Sequence, residues 1–221
     1  YEFNTLTMGL TNAPSMFQTM MNKTFEGLHG CVIIYLDDIW VFSKTEEDHI
    51  HDLKLVLECR KLAGLVAKRS KCAFFVPSLN FLGHVVSNQG ISPDPVKVQA
   101  IKDWSQPTDQ RQLRGFLGLA NHFRKFMKGY SLKAAPLEKL TGKLGSKKNS
   151  LILWTPECEA AFLVLKEDLC HAPCMVLPDY KKPFKLVCDA SNTGIGGVLI
   201  QDERPIAFIS KRFNKAQKNY H

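Results

Sequence analysis

Val32-Ile33-Ile34-Tyr35-Leu36-Asp37-Asp38-Ile39-Trp40-Val41-Phe42 sets two apolar, β-branched and aromatic runs on either side of a pair of aspartates. Such runs read as strands, and the acidic junction reads as the turn of a hairpin. Strands apolar on both faces are expected inside a sheet, which places the two carboxylates beside a core. Burying them unpaired would be costly. Hard oxygen ligands at a tight turn suit Mg²⁺, because the cation offsets the anionic charge and keeps coordination positions for water and phosphate oxygens. Side chains alternate along a strand, so neighbouring aspartates diverge. Asp37 is expected as the principal ligand and Asp38 as its support. Asp is also common in ordinary polar turns. On these residues alone the two readings stand level.

The flanking stretches add to this. Gly9-Leu10-Thr11-Asn12-Ala13-Pro14, then Phe17-Gln18, precede the hairpin, while Lys71-Cys72-Ala73-Phe74 and Phe81-Leu82-Gly83-His84-Val85 follow it. Together with Tyr35-Leu36-Asp37-Asp38 they resemble, from the first residue to the last, the reverse transcriptases of gypsy-type long-terminal-repeat retrotransposons. In that family the Tyr-x-Asp-Asp hairpin lies in the polymerase palm, and the stretch matched by Phe81 to Val85 grips the primer end. The resemblance implies catalytic, metal-binding carboxylates at Asp37 and Asp38. It also implies nucleic-acid contact at Gly9, Gln18, Tyr35, Leu82, Gly83 and His84. One departure is visible: Thr7-Met8 stands where the family usually has Pro-Phe, altering the apolar wall near the incoming nucleotide.

At 221 residues the chain can bury more than one core, so two or three subdomains are expected. No cationic segment followed by an apolar core opens it, and its apolar runs fall short of a membrane span, so no membrane partner is expected. Its seven cysteines are odd in number and scattered, unlike a secreted disulfide framework, and read as reduced core residues. Cys170-His171 with Cys174 lacks a second ligand pair at a spacing that suits zinc.

Charge is concentrated. Residues 91 to 150 hold twelve Lys or Arg against four acids, which accounts for the whole net charge of +8, and the remainder is balanced. Such a stripe attracts a phosphate backbone through counterion release, without regard to sequence. Within it Leu113, Phe116, Leu117, Ala120, Phe123 and Met127 recur at helical spacing, after a cap at Thr108 or Asp109. Arg111, Arg114, Lys125 and Lys128 fall to one side of that apolar face on a helical wheel. A solvated helix face would look similar. The family's thumb belongs at this position, so nucleic-acid contact is expected from Arg111, Arg114, Arg124, Lys125 and Lys128.

Punctuation organises the rest. Pro14, after Thr11 and Asn12, opens a helix with an inward face of Phe17, Met20, Met21, Phe25 and Leu28. A second helix is expected from about Glu46 to Leu62, then strands near 71 to 76 and 81 to 86. Ser92-Pro93-Asp94-Pro95 begins the helical thumb, Gly142 to Asn149 is a polar loop, and a helix runs from about Pro156 to Leu169. Strands over Phe184 to Asp189, Gly196 to Gln201 and Ile206 to Lys211 then look like the start of a ribonuclease H fold. In that fold the first strand carries a metal-binding catalytic aspartate, here Asp189 in Val187-Cys188-Asp189-Ala190-Ser191. A metal-free connection domain has the same strand pattern.

The fold expected is therefore α+β: part of a right-hand polymerase palm and a helical thumb, followed by the first strands of a ribonuclease H-like α/β domain. The divisions are a palm over 1–91, a basic thumb over 92–150, a helix and tether over 151–183, and the ribonuclease H-like part over 184–221. The chain opens in an apparent strand at Tyr1-Glu2-Phe3 and stops at Asn219-Tyr220-His221, so each active site is expected to draw carboxylates from outside it. The resemblance implies an RNA-directed DNA polymerase with a ribonuclease H, using two Mg²⁺ ions per active site, with Mn²⁺ as a substitute. Implied partners are an RNA template, a DNA primer, the RNA/DNA hybrid and dNTPs, with a homodimer left open. Residence in a cytoplasmic retroelement particle, or in the nucleus, is expected. A decayed or domesticated fragment that only binds nucleic acid is the other reading.

Overall fold

The computed structural model describes residues 5–7, 9–141 and 151–219. The strand expected at Tyr1-Glu2-Phe3, Met8, the polar loop Gly142 to Asn149 with Lys143, Lys147 and Lys148, and the terminal Tyr220-His221 lie outside the described residues. The chain divides into two compact units, Tyr1–Phe74 and Phe75–His221.

In the first unit, α1 (Ala13–Thr24) starts with proline in its first turn, where the missing N–H costs no hydrogen bond. Asn12 occupies the capping position but makes no side-chain cap. The hairpin follows as β1 (Val32–Tyr35) and β2 (Asp38–Val41), antiparallel, with Val32 opposite Val41 and Tyr35 opposite Asp38. Thr45 then caps α2 (Glu46–Leu62), accepting from the Asp48 N–H at 3.1 Å. Three acids in its first turn and Arg60 and Lys61 in its last complement the helix dipole. Both helices cover one face of the hairpin: Met21 from α1, Phe25 just past its end and Val56 from α2 bury against Val32, with Ile34, Ile39 and Val41 packed at the margin.

Three expectations fail here. The hairpin is not apolar-buried on both faces, since Ile33, Tyr35 and Phe42 are each 46% exposed. Strand alternation turns them away from the helices that bury their neighbours. Met20 is likewise exposed, because the inward stripe of α1 runs through positions 17, 21 and 25 and leaves position 20 at its edge. Past α2, residues 71 to 76 form no strand: Arg69–Lys71 is a single 3₁₀ turn, and Phe75 at φ 53° bends the chain out of an extended path.

The second unit opens with an antiparallel three-stranded sheet, β3 (Ser78–Phe81), β4 (His84–Ser87) and β5 (Gly90–Pro93). Ile91 exchanges backbone hydrogen bonds with Met175 at 2.7 and 2.8 Å. Gly90 permits this approach: its φ is +132°, and an added Cβ would lie 2.0 Å from the Met175 carbonyl oxygen. Asp94 caps α3 (Pro95–Lys102) and Asp109 caps α4 (Gln110–His122), each accepting from an N–H of the first turn. A 3₁₀ turn at Arg124–Phe126 leads to α5 (Tyr130–Lys133) and α6 (Ala135–Leu140), and α7 is Pro156–Cys170.

Leu113, Phe116, Leu117, Ala120, Phe123 and Met127 are all buried, joined by Phe162, Leu165 and Leu169 of α7. The Phe116 and Phe162 rings lie 4.6 Å apart. The chain turns after His122, however, so Lys125 and Lys128 do not continue the α4 wheel.

A second antiparallel sheet, β6 (Lys185–Ser191), β7 (Gly194–Gln201) and β8 (Arg204–Arg212), is bolted to this bundle. Ser210 of β8 is buried and bonds Ser131, donating and accepting through its hydroxyl, while its carbonyl takes Ser131 Oγ and Arg124, each at 2.6 Å. Buried Gln201 holds the preceding tether through the Asp179 N–H and the Asp179 and Lys182 carbonyls. No helix among the described residues is long and apolar enough to cross a membrane. All seven cysteines are free, yet Cys72, Cys174 and Cys188 are exposed rather than in the core.

Candidate active site

The two-residue loop of the first hairpin is Leu36-Asp37, since Tyr35 pairs directly with Asp38. Leu36 has φ +51°, a left-handed conformation in which a γ-branched side chain is strained. Both Asp37 and Asp38 are exposed, and neither carboxylate hydrogen-bonds or ion-pairs with a described residue. They are uncommitted hard oxygen donors on adjacent positions. No group of three His, Cys, Asp or Glu side chains that could hold a metal ion forms among the described residues.

Gln18 faces the backbone of this hairpin. Its Oε1 accepts from the Leu36 N–H at 2.6 Å, and its Nε2 donates to the Ile34 carbonyl at 3.2 Å and to Asn22 Oδ1 at 2.8 Å. This residue, expected to touch nucleic acid, has its whole carboxamide engaged within the protein. Tyr35 is half exposed beside it, and Gly9 lies in an exposed turn at φ +96°.

The loop joining β3 and β4 is Leu82-Gly83, with φ values of 47° and 78°. The Leu82 carbonyl accepts from His84 Nδ1 at 3.0 Å and from His122 Nε2 at 3.1 Å, so a residue of α4 pins the loop. His84 is 8% exposed and its Nε2 has no partner. Burial, followed by the nearby Lys125 charge, holds its pKa below the ordinary imidazole value. Because the Leu82 carbonyl can only accept, the Nδ1 of His84 carries the proton of that bond. Nothing in the sequence marked His122 beyond its place in the last turn of a helix.

The five basic residues of the thumb divide. Arg114 donates to the Thr141 carbonyl at 2.5 Å and to Gln110 Oε1 at 3.2 Å. Arg124 donates to the Ser210 carbonyl and lies 5.5 Å from the centre of the Tyr130 ring. Tyr130 itself is pushed up to about 12 by burial and by Glu138. Lys125 is half-buried over Phe126, and that burial lowers its pKa. Arg111 and Lys128 are exposed, with no side-chain partner among the described residues.

Asp189 lies within β6 opposite Gly196, exposed and without a side-chain partner among the described residues. Burial, and then Asp52, raise the thiol pKa of Cys31.

Residues 1–86 match the family described as reverse transcriptase (RNA-dependent DNA polymerase), and residues 154–221 match the RNase H-like domain found in reverse transcriptase. The retrovirus-related Pol polyprotein from transposon opus of Drosophila melanogaster is 39% identical over all of this chain, which spans 23% of that relative. That from transposon gypsy of the same organism is 36% identical, again over the whole chain and 22% of the relative. The chain carries a reverse transcriptase domain and an RNase H-like domain, and its relatives are Pol polyproteins of gypsy and related transposons. It spans about a fifth of the length of these Pol relatives. The foamy viral protease-reverse transcriptase in complex with an RNA/DNA hybrid superposes on it with a TM-score of 0.86 at 23% identity, covering 99% of this chain and 30% of that one. That likeness shows the fold alone, α+β over nearly the whole of this chain.

Proposed function

We propose that the chain is the palm, thumb and leading ribonuclease H part of an RNA-directed DNA polymerase that copies retroelement RNA and cleaves RNA in the resulting hybrid. The observation that carries this reading is the hairpin loop, where Asp37 and Asp38 stand exposed and uncommitted on a turn braced from α1. Two Mg²⁺ ions, with Mn²⁺ as a substitute, would supply activation of the primer 3′ hydroxyl and neutralisation of charge on the departing pyrophosphate. Asp37 and Asp38 would hold them, Asp37 as principal ligand. Because a carboxylate beyond these two is needed, the isolated 221 residues should not extend a primer. The Leu82-Gly83 loop positions the primer end. The basic bundle grips the hybrid backbone through Arg111 and Lys128, and dNTP phosphates approach the hairpin. Asp189 contributes to a separate hydrolytic metal site.

Primer extension on an RNA template by a longer Pol protein containing this chain tests the reading. Asp37→Asn should abolish synthesis while leaving hybrid affinity within about twofold, because the change removes charge at nearly constant shape. Near-normal synthesis by that variant would return Asp37 to the status of a turn residue. Tight hybrid binding without any synthesis by the unaltered protein would favour the nucleic-acid-binding reading instead.

A further inference from the structure

Leu36 presents a local contradiction. The first loop position of this hairpin requires a positive φ, which glycine, asparagine or aspartate adopts at little cost, yet a leucine sits there at +51°. Left alone, the turn would relax, and with it the directions of Asp37 and Asp38. The nearby restraint is Gln18, which accepts from the N–H of Leu36 itself and donates to the carbonyl of Ile34. Accepting from one backbone N–H and donating to the carbonyl two residues earlier is the bonding of an adjacent strand. A single side chain thus completes the outer edge of β1 up to the loop. Asn22, one turn along α1, fixes the rotation of the amide by accepting its other N–H at 2.8 Å. The brace runs from helix α1, which is anchored in the core of this unit through Met21 and through Phe25 just past its end.

We infer that Gln18 is a positioning residue for the carboxylate hairpin: its carboxamide, oriented by Asn22, holds Leu36 in the left-handed conformation that aims Asp37 and Asp38. This rests on the reading of Asp37 and Asp38 as metal-holding carboxylates. It differs from direct nucleic-acid contact in what each loss would change. A brace affects the geometry of the reacting centre, so its removal lowers kcat and raises the Mg²⁺ concentration needed for half-maximal rate. A nucleic-acid contact affects hybrid affinity.

The test is steady-state primer extension with a longer Pol protein containing this chain, titrating Mg²⁺, alongside hybrid binding in the absence of metal. Gln18→Leu should lower kcat by about 10- to 100-fold, the range expected for sub-ångström to ångström misplacement of catalytic groups, and raise the Mg²⁺ requirement. Hybrid affinity should stay within about twofold. A normal kcat with weakened hybrid binding overturns the inference. Gln18→Glu covers the case in which leucine prevents folding, since it is isosteric and still accepts from Leu36. Its carboxylate cannot donate to Ile34 or Asn22, so Gln18→Glu should also lower kcat and raise the Mg²⁺ requirement, with hybrid affinity again within about twofold. A kcat and Mg²⁺ requirement equal to those of the unaltered protein overturn the inference. Asp37→Asn run in parallel separates the two levels. If Asp37→Asn stays active, the metal reading fails; if it is dead and both Gln18 variants behave normally, only the brace fails.

Discussion

Replacing Arg111 and Arg114 one at a time by alanine separates two jobs that the charge pattern alone assigns to both. Arg111 is exposed and without a side-chain partner among the described residues, whereas Arg114 is spent on the Thr141 carbonyl at 2.5 Å and on Gln110. If Arg111 meets a phosphate, its removal should flatten the plot of log affinity against log salt by about 0.7 to 0.9. Across the range from 50 to 200 mM salt, that amounts to roughly a threefold difference in how steeply affinity falls. Its stability should move by no more than about 0.5 kcal/mol, as for a surface residue. Arg114→Ala should do the reverse. A hydrogen bond from a charged donor contributes about 1.5 to 3 kcal/mol, and partial exposure places this one at the lower end. At about 2 to 4 °C per kcal/mol for a domain of this size, the melting temperature should drop by roughly 3 to 6 °C, with the salt slope unchanged. Fluorescence anisotropy with a labelled RNA/DNA hybrid and differential scanning calorimetry supply the two readings. Equal slope losses for both variants, with no thermal cost for Arg114→Ala, would refute the division.

Three further outcomes follow from other parts of the molecule. His84 has a pKa lowered by burial, so the unfolded chain takes up a proton below about pH 6.5 while the folded chain resists; stability should be full above that pH and fall as pH drops toward the folded-state value, and His84→Phe should flatten this acid loss in melts at pH 7.5 and 5.5. Gly90→Ala places a methyl 2.0 Å from the Met175 carbonyl oxygen at φ +132°, and should cost more than about 2 kcal/mol in denaturant titrations. Asp189→Asn in the longer Pol protein should eliminate cleavage of the RNA strand in a hybrid and spare DNA synthesis, and retained cleavage would make Asp189 an ordinary strand residue.

Caps and turns were legible because their causes are local. Asp94 before Pro95, Asp109 before α4 and the apolar spacing from Leu113 to Met127 each act within a few residues, and each is found where that chemistry places it. The strand expected at 71 to 76 shows the limit: β-type residues there have no neighbouring strand to pair with, and propensity does not form a ladder alone. The wheel of basic residues fails for a related reason. Whether an arginine is free depends on which carbonyl folding brings to it, and Arg124 meets Ser210 from 86 positions away. Gln18 is the same case, read from its motif as a nucleic-acid contact and found bonded to a loop 18 residues on.

What the sequence did contain, in retrospect, is two local misfits. Leu36 and Leu82 each occupy the first position of a two-residue hairpin loop with φ near +50°, where leucine is a poor choice. Each is answered by a polar side chain projecting from a helix: Gln18 of α1 bonds the Leu36 N–H, and His122 of α4 bonds the Leu82 carbonyl. The tip between β7 and β8 has positive φ at Asp202 and Glu203, and there surface pairs from Lys182 and Lys185 suffice. A loop needed only to reverse the chain can use residues that accept the conformation. A loop that keeps an apolar side chain in a strained position must be held from outside, and the two so held carry the carboxylate pair and the turn matched to the primer-end hairpin. Local rules of sequence are expected to break where geometry serves a site rather than stability, so a leucine in a tight turn, paired with a distant amide or imidazole, is itself a pointer to where the chemistry lies.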